Sequence, residues 1–369
     1  MAKSVSHKKS VLTNHSLLFL KNYINNASPV GFETNGQKLW LEYLKPFVDS
    51  HFTDPYGTAV GVINPKAPFK VVIEAHADEI SWFVNYINPE GLLYLKRNGG
   101  VDHQIAPGQR VLVHGKKGTV KAVFGWPAIH TRLGNPDAKE PQPKVDNLFL
   151  DCGARNKKEA EALGVHIGAV VTYQEGFDEL AHNYFIGRAF DNRIGGFMIA
   201  EVARLLHENK KKLPYGLYVV NAVQEEIGLR GAEMIARRIK PDVAIITDVT
   251  HDTATPMINK IIEGDIACGK GPSLAFGPAV HNKLLALVQE TADKRKIPVQ
   301  MRTVSRSTGT DTDSFAYAND GCPSVLISIP LRYMHTTVEM LHKNDIEETI
   351  RLMYETLLVL TPKTNLSYL

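Results

Sequence analysis

A long alternation of helical and strand-like patterns is broken once, between about Ser81 and His182, and that interruption constrains the fold more than any other feature. Before it, helical spacing runs from about Ser10 to Lys45 with a break at Ala27-Ser28-Pro29-Val30-Gly31, and Lys70 to Ala75 reads as a buried strand. After it, helices are expected over Asn192 to His207, Gly231 to Arg238, Lys283 to Lys294 and Asp345 to Leu360. Strands are expected over Leu217 to Val223, Val243 to Thr247 and Val325 to Ile329. Such alternation argues for an α/β fold with a mixed, largely parallel sheet and helices on both faces.

The interrupting block has a different period. Leu92 to Leu95, Arg110 to His114, Thr119 to Val123 and Ala169 to Tyr173 are short, β-rich and separated by glycine and proline turns, the pattern of a small barrel or sandwich. It holds one helix, Lys157 to Leu163, with Asn156 as N-cap and Gly164 as stop, and a loop, Leu133 to Lys144, expected to be mobile. The expected division is residues 1–80 and 183–369 as two parts of one α/β domain, with residues 81–182 inserted as a small β-barrel domain.

Composition narrows the function classes. Hydrophobic residues at 44% and charged residues at 22% are those of a globular chain with a large core. The net charge of +3 is spread without a basic stripe, so no nucleic-acid partner is expected, and Lys210 to Lys212 reads as a solvated helix end. Cys152, Cys268 and Cys322 are too scattered for a disulfide framework or thiolate zinc site, which points to a reducing compartment. Met1 to Leu20 lacks an export-length apolar core, and no run of about 18 apolar residues occurs. A cytoplasmic location without membrane contact is the expectation.

Acids and histidines gather where the apolar runs stop. His76 and Asp78 follow the strand ending at Ala75, Glu225 and Glu226 follow Leu217 to Val223, and Asp248 follows Thr247. His335 comes shortly after Ile329, and Asp191 opens the helix at Asn192. Open α/β sheets bind ligands beyond the carboxyl ends of their strands, so these segments can reach one crevice. Imidazole and carboxylate donors without thiolate suit zinc, cobalt or manganese in an open site. Two hydrolytic metals need a carboxylate between them, terminal donors on each flank and one further acid free to take a proton. Adjacent Glu225 and Glu226 diverge, so one can bind metal while the other faces substrate.

Taken singly, each residue has a plainer explanation. Asp191 is a possible N-cap, Asp248 a turn cap with Thr250, Glu225-Glu226 a solvated helix start, and His76 or His335 a hydrogen-bonded structural histidine. Their coincidence at element boundaries is what favours a metal hydrolase. Two other classes stay open. A metal-independent glycosidase (an endoglucanase) needs two carboxyls flanking one bond, which adjacent glutamates do not readily supply. A non-catalytic peptide-binding assembly protein would be expected to have lost ligands.

The words around these residues resemble signatures of metallopeptidase family 42, the tetrahedral, glutamyl and leucyl aminopeptidases, some labelled endoglucanase. They are Glu74-Ala75-His76-Ala77-Asp78-Glu79-Ile80, Arg188-Ala189-Phe190-Asp191-Asn192-Arg193, Val223-Gln224-Glu225-Glu226-Ile227-Gly228, Thr247-Asp248-Val249-Thr250 and Ser328 to Thr336. The resemblance implies a zinc-peptidase fold and an aminopeptidase with two divalent ions per chain, zinc or cobalt, acting on peptides through a water held between the metals. It implies Asp191 as the bridge, His76 and Asp248 on one metal, and Glu226 and His335 on the other. Glu225 is implied as general base and Asp78 as the residue orienting His76. It further implies a dimerising insert and a homo-oligomer, from dimer up to dodecamer. Gly309-Thr310-Asp311-Thr312-Asp313 also matches the family, with no chemical role assigned. Ser81-Trp82 and the basic segment Asn209 to Lys212 depart from its common pattern.

Overall fold

The computed structural model describes residues 10–132, 140–174 and 176–369. Residues 133–139 of the loop expected to be mobile, and the lysines before Ser10, lie outside them. Strands β1 (Ser50–Thr53), β2 (Ala59–Ile63) and β3 (Lys70–His76) come first. They are followed by β4 (Ser81–Ile87), β5 (Leu93–Asn98), β6 (Arg110–Gly115), β7 (Gly118–Phe124), β8 (Phe149–Asp151) and β9 (Val170–Tyr173). Then come β10 (Asp178–Leu180), β11 (Tyr184–Gly187), β12 (Gly216–Ala222) and β13 (Val243–His251). The last are β14 (Ser273–Phe276), β15 (Gln300–Thr303), β16 (Ser324–Leu331) and β17 (Glu339–His342).

Among the described residues, an eight-stranded sheet has the order β1-β2-β12-β3-β13-β16-β14-β15. Its centre, β12-β3-β13-β16, is parallel, as the sequence predicted. Successive side chains in β13 and β16 point to opposite faces, and nearly all are buried, so helices cover both faces there. The interrupting block closes into a barrel, β4-β5-β8-β7-β6-β9. Its core of Trp82, Val84, Leu93, Val111, Val113, Phe124, Leu150 and Val171 is separate from that of the sheet. A third, small sheet joins β10, β11 and β17.

Local chemistry explains the boundaries. The Asn14–Asn25 helix opens on a capping box in which Thr13 and Ser16 satisfy each other's backbone N–H. The Lys157–Ala162 helix starts on Asn156, whose side chain accepts from Glu159 N, and ends before Gly164 at φ +99°. The Phe190–Glu208 helix packs directly on β3, because Gly195 leaves room where a Cβ would meet Ala75 Cβ at 2.8 Å. No helix among the described residues is long and apolar enough to cross a membrane. One local expectation is corrected: β13 continues to His251, so Asp248 lies within the strand rather than beyond it. Pairing with β16 from Ala244 to His251 keeps that segment extended.

Candidate metal centre

Register brings the boundary residues together. His76 ends β3 opposite Ala222 at the end of β12, and Asp248 lies opposite Ser328 on β16. Past β12 the chain turns sharply at Gln224 (φ +59°) and presents Glu225 and Glu226 on a single 3-10 turn. Asp191 stands at the mouth of the Phe190–Glu208 helix with non-helical φ and ψ, rather than as its N-cap, and its peptide bond to Asn192 is cis. His335 follows β16 at φ +62°. Left-handed conformations at Gln224 and His335 are strained for residues with a Cβ, and such strain concentrates at functional sites.

The geometry centres on Asp191. Its Oδ1 lies 3.3 Å from His76 Nε2 and its Oδ2 lies 3.2 Å from His335 Nε2, so its two oxygens face different imidazoles. Around His76 Nε2 also stand Glu225 Oε2 at 3.8 Å and Asp248 Oδ1 at 3.9 Å. Glu226 Oε1 lies 3.3 Å from His335 Nε2. Donor atoms of His76, Asp191 and Asp248, and of Asp191, Glu226 and His335, form two trios within 4.8 Å that share Asp191. His76, Glu225 and Glu226 form a third. Oxygen and imidazole donors at this spacing fit divalent ions of the zinc and cobalt kind.

A surrounding shell holds these groups in place. His76 Nδ1 lies 3.4 Å from Asp78 Oδ1. Asp78 also accepts the backbone N–H of Glu225 at 3.0 Å and of Glu226 at 3.1 Å, fixing the turn that carries both glutamates. Glu339 accepts from Asp191 N at 3.1 Å and from His335 N at 2.9 Å. The His335 ring faces back to the barrel, with Nδ1 3.0 Å from the Gly100 carbonyl. Sequence reasoning missed Glu339 and Gly100. The first sits in an ordinary Thr-Val-Glu-Met context, and the second acts through its backbone, which no side-chain pattern reveals.

The electrostatics are those of crowded, buried acids. Burial pushes Glu225 up to about 10, aided by Asp311, Asp248 and Glu226 and opposed by His76. Burial, with Asp191 and Glu226 adding to it, raises Asp248 to about 7. Burial works to lower His335, but hydrogen bonding to Asp191 and Glu226 outweighs it and pushes the imidazole up to about 12. His76 rises well above its ordinary value in the same way, burial being outweighed by Glu225, Asp191 and Asp78. Burial would raise Asp191, yet its contacts with His335 and His76 hold it below the usual carboxylate range. This surplus of mutually repelling carboxylates around two imidazoles is what divalent cations relieve.

Nearby, Glu74 and Asp311 are fully buried, and burial raises both carboxyls, Glu74 to about 8. Asp311 belongs to the Gly309–Asp313 segment that had no assigned role. The cavity over the centre, about 290 Å³, is also lined by Arg302, Thr308, Gly309 and Thr310.

With this arrangement in view, comparison with known proteins is decisive. A sequence model described as M42 glutamyl aminopeptidase matches residues 57–352. The chain belongs to the M42 peptidase family. Among M42 relatives, the lysyl aminopeptidase of Pyrococcus furiosus is 33% identical over 336 residues, covering 90% of this chain and 94% of the relative. A TET aminopeptidase from a marine sediment archaeon of the Thaumarchaeota superposes with a TM-score of 0.90 at 31% identity, covering 95% of this chain and 98% of the other. The Pyrococcus horikoshii TET1 peptidase, which can assemble into a tetrahedron or a large octahedral shell, gives 0.83 at 26% identity, covering 94% and 100%. The M42 chain is thus a peptidase, and its family implies use of a divalent metal.

Proposed function

We propose that this chain is a dinuclear aminopeptidase that hydrolyses the N-terminal bond of peptides. The observation that carries the reading is Asp191, whose two oxygens each face a different imidazole about 3.2–3.3 Å away. Asp191 would hold both ions, His76 and Asp248 would complete one set of ligands, and Glu226 and His335 the other. Two divalent ions, zinc or cobalt, supply positive charge that polarises the scissile carbonyl and makes water more acidic.

Glu225 is the acid left over from both sets. In this reading its carboxylate takes a proton from the attacking water as oxygen bonds to the carbonyl carbon. It then delivers that proton to the amide nitrogen as the C–N bond breaks. Asp78 keeps the carboxylates of Glu225 and Glu226 apart by anchoring both backbone N–H groups, and it orients His76. Burial of the centre strengthens each of these interactions.

We further assign residues 81–182 as an inserted dimerisation domain between the two catalytic parts, residues 1–80 and 183–369, in a cytoplasmic homo-oligomer. The closed barrel and the assembling TET relatives support this. The catalytic reading is tested with aminoacyl p-nitroanilides. Chelator should abolish hydrolysis, zinc or cobalt should restore it, and elemental analysis should approach about two ions per chain. Hydrolysis that survives complete metal removal would overturn it.

A further inference from the structure

Among the described residues, Arg302 lines the cavity with a positive charge that the metal centre does not explain. It lies on β15, the edge of the eight-stranded sheet. An arginine there could extend into water. Instead its guanidinium crosses over the sheet, with Nη2 3.4 Å from Ser328 Oγ on β16, two strand spacings or about 10 Å inward.

Other inward arginines have acidic partners. Arg188 pairs with Glu79, Arg204 lies 2.7 Å from Glu201, and Arg332 lies 2.8 Å from Asp252. Arg302 has no carboxylate within 4.0 Å among the described residues, and its Nε has no hydrogen-bond partner. Burial holds it below the usual arginine range, with Asp248 as the acid opposing that effect. Once Asp248 serves a metal, even that distant compensation is spent. A half-buried guanidinium without a counter-charge is costly, and a planar fork of donors matches a carboxylate best.

We propose that Arg302 is a specificity residue that receives a carboxylate of the bound peptide, from an acidic N-terminal side chain or from the C-terminus of a dipeptide. The assignment rests on the aminopeptidase reading above. It makes a basic N-terminal residue the least favoured, because the same guanidinium repels it. The neighbouring Thr308 and Thr310 line the same cavity and supply hydroxyls beside the carboxylate.

The metal-loaded full chain tests this with matched pairs. Glu- against Gln-p-nitroanilide isolates the side-chain source, since neither carries a terminal carboxylate. Leu-Gly against its amide isolates the terminal source. In at least one pair the carboxylate should be favoured roughly 10- to 100-fold in kcat/KM, the range of a hydrogen bond to a charged group. Arg302→Met should erase that ratio by slowing the carboxylate substrate more than its neutral partner, and Arg302→Lys should restore part of it.

Absence of preference in both pairs overturns the proposal. So does an Arg302→Met variant that slows every substrate equally, the mark of a merely structural role. Calorimetry with L-glutamate against L-glutamine, and Leu-Gly against its amide, on Glu225→Gln protein reads recognition without turnover. Arg302-dependent carboxylate binding, combined with metal-loaded wild-type protein that cleaves no aminoacyl substrate, would sink the aminopeptidase reading and leave carboxylate recognition at Arg302 standing.

Discussion

Glu225 and Glu226 are neighbours in the chain, yet Glu225 approaches His76 and Glu226 approaches His335. Purely structural roles would make their amide substitutions behave alike. With Glu226 as ligand, Glu226→Gln should weaken one ion, and activity should partly return at high metal concentration. With Glu225 as base, Glu225→Gln should keep both ions and substrate affinity while turnover falls by about 10²–10⁴-fold without rescue. Metal content, KM and kcat measured side by side distinguish the roles, and metal loss from Glu225→Gln alone would show them reversed. The histidines give a second prediction. His76 and His335 both titrate above their ordinary range, so at pH 7 they are protonated until metal displaces the protons. Zinc binding should therefore release roughly two protons or more. Apparent affinity should fall about tenfold per released proton for each pH unit of acidification. A zinc titration in weak buffer that leaves the pH unchanged would contradict this.

The barrel reaches the centre through Gly99 and Gly100, which pack against Glu226 and His335. A Cβ on Gly100 would stand 2.8 Å from His335 Cε1 and 2.9 Å from its Nδ1, closer than the ring tolerates. Gly100→Ala should therefore tilt His335, cost about 10–100-fold in affinity for one ion, and leave the melting of metal-free protein nearly unchanged. Zinc isotherms that retain two equally tight sites would remove the barrel from the centre's supports. This contact also marks the limit of what the sequence reveals. Strands β3, β12, β13 and β16 were legible because strands buried on both faces read as continuous apolar runs. Edge strand β15, Gln300-Met301-Arg302-Thr303, has no such run and is held by pairing with β14, so Arg302 passed unnoticed. Asp248 was placed one residue past its strand because the extension of β13 depends on β16, some eighty positions later. Glu339 gains meaning only when β17 pairs with β11 and carries it beneath Asp191.

On the scale of the molecule, the barrel has its own core and its Gly100 carbonyl touches His335, so under the proposed assignments assembly and metal binding are expected to depend on the same insert. Light scattering should give at least twice the 40.9 kDa chain mass, and a monomeric full-length protein would defeat the dimerisation assignment. Replacing residues 81–182 with a short linker should yield monomers that also lack firm metal binding at His335, since the Gly100 carbonyl leaves with the insert. The spread of the donors along the chain has one more consequence. His76 belongs to an early strand, Asp191 and Asp248 to the middle, and His335 follows the late strand β16. During synthesis the growing polypeptide therefore carries only an unfinished centre until β16 has taken its place beside β13. On the proposed assignment, a chain that stops short of His335 would lack a ligand of one ion.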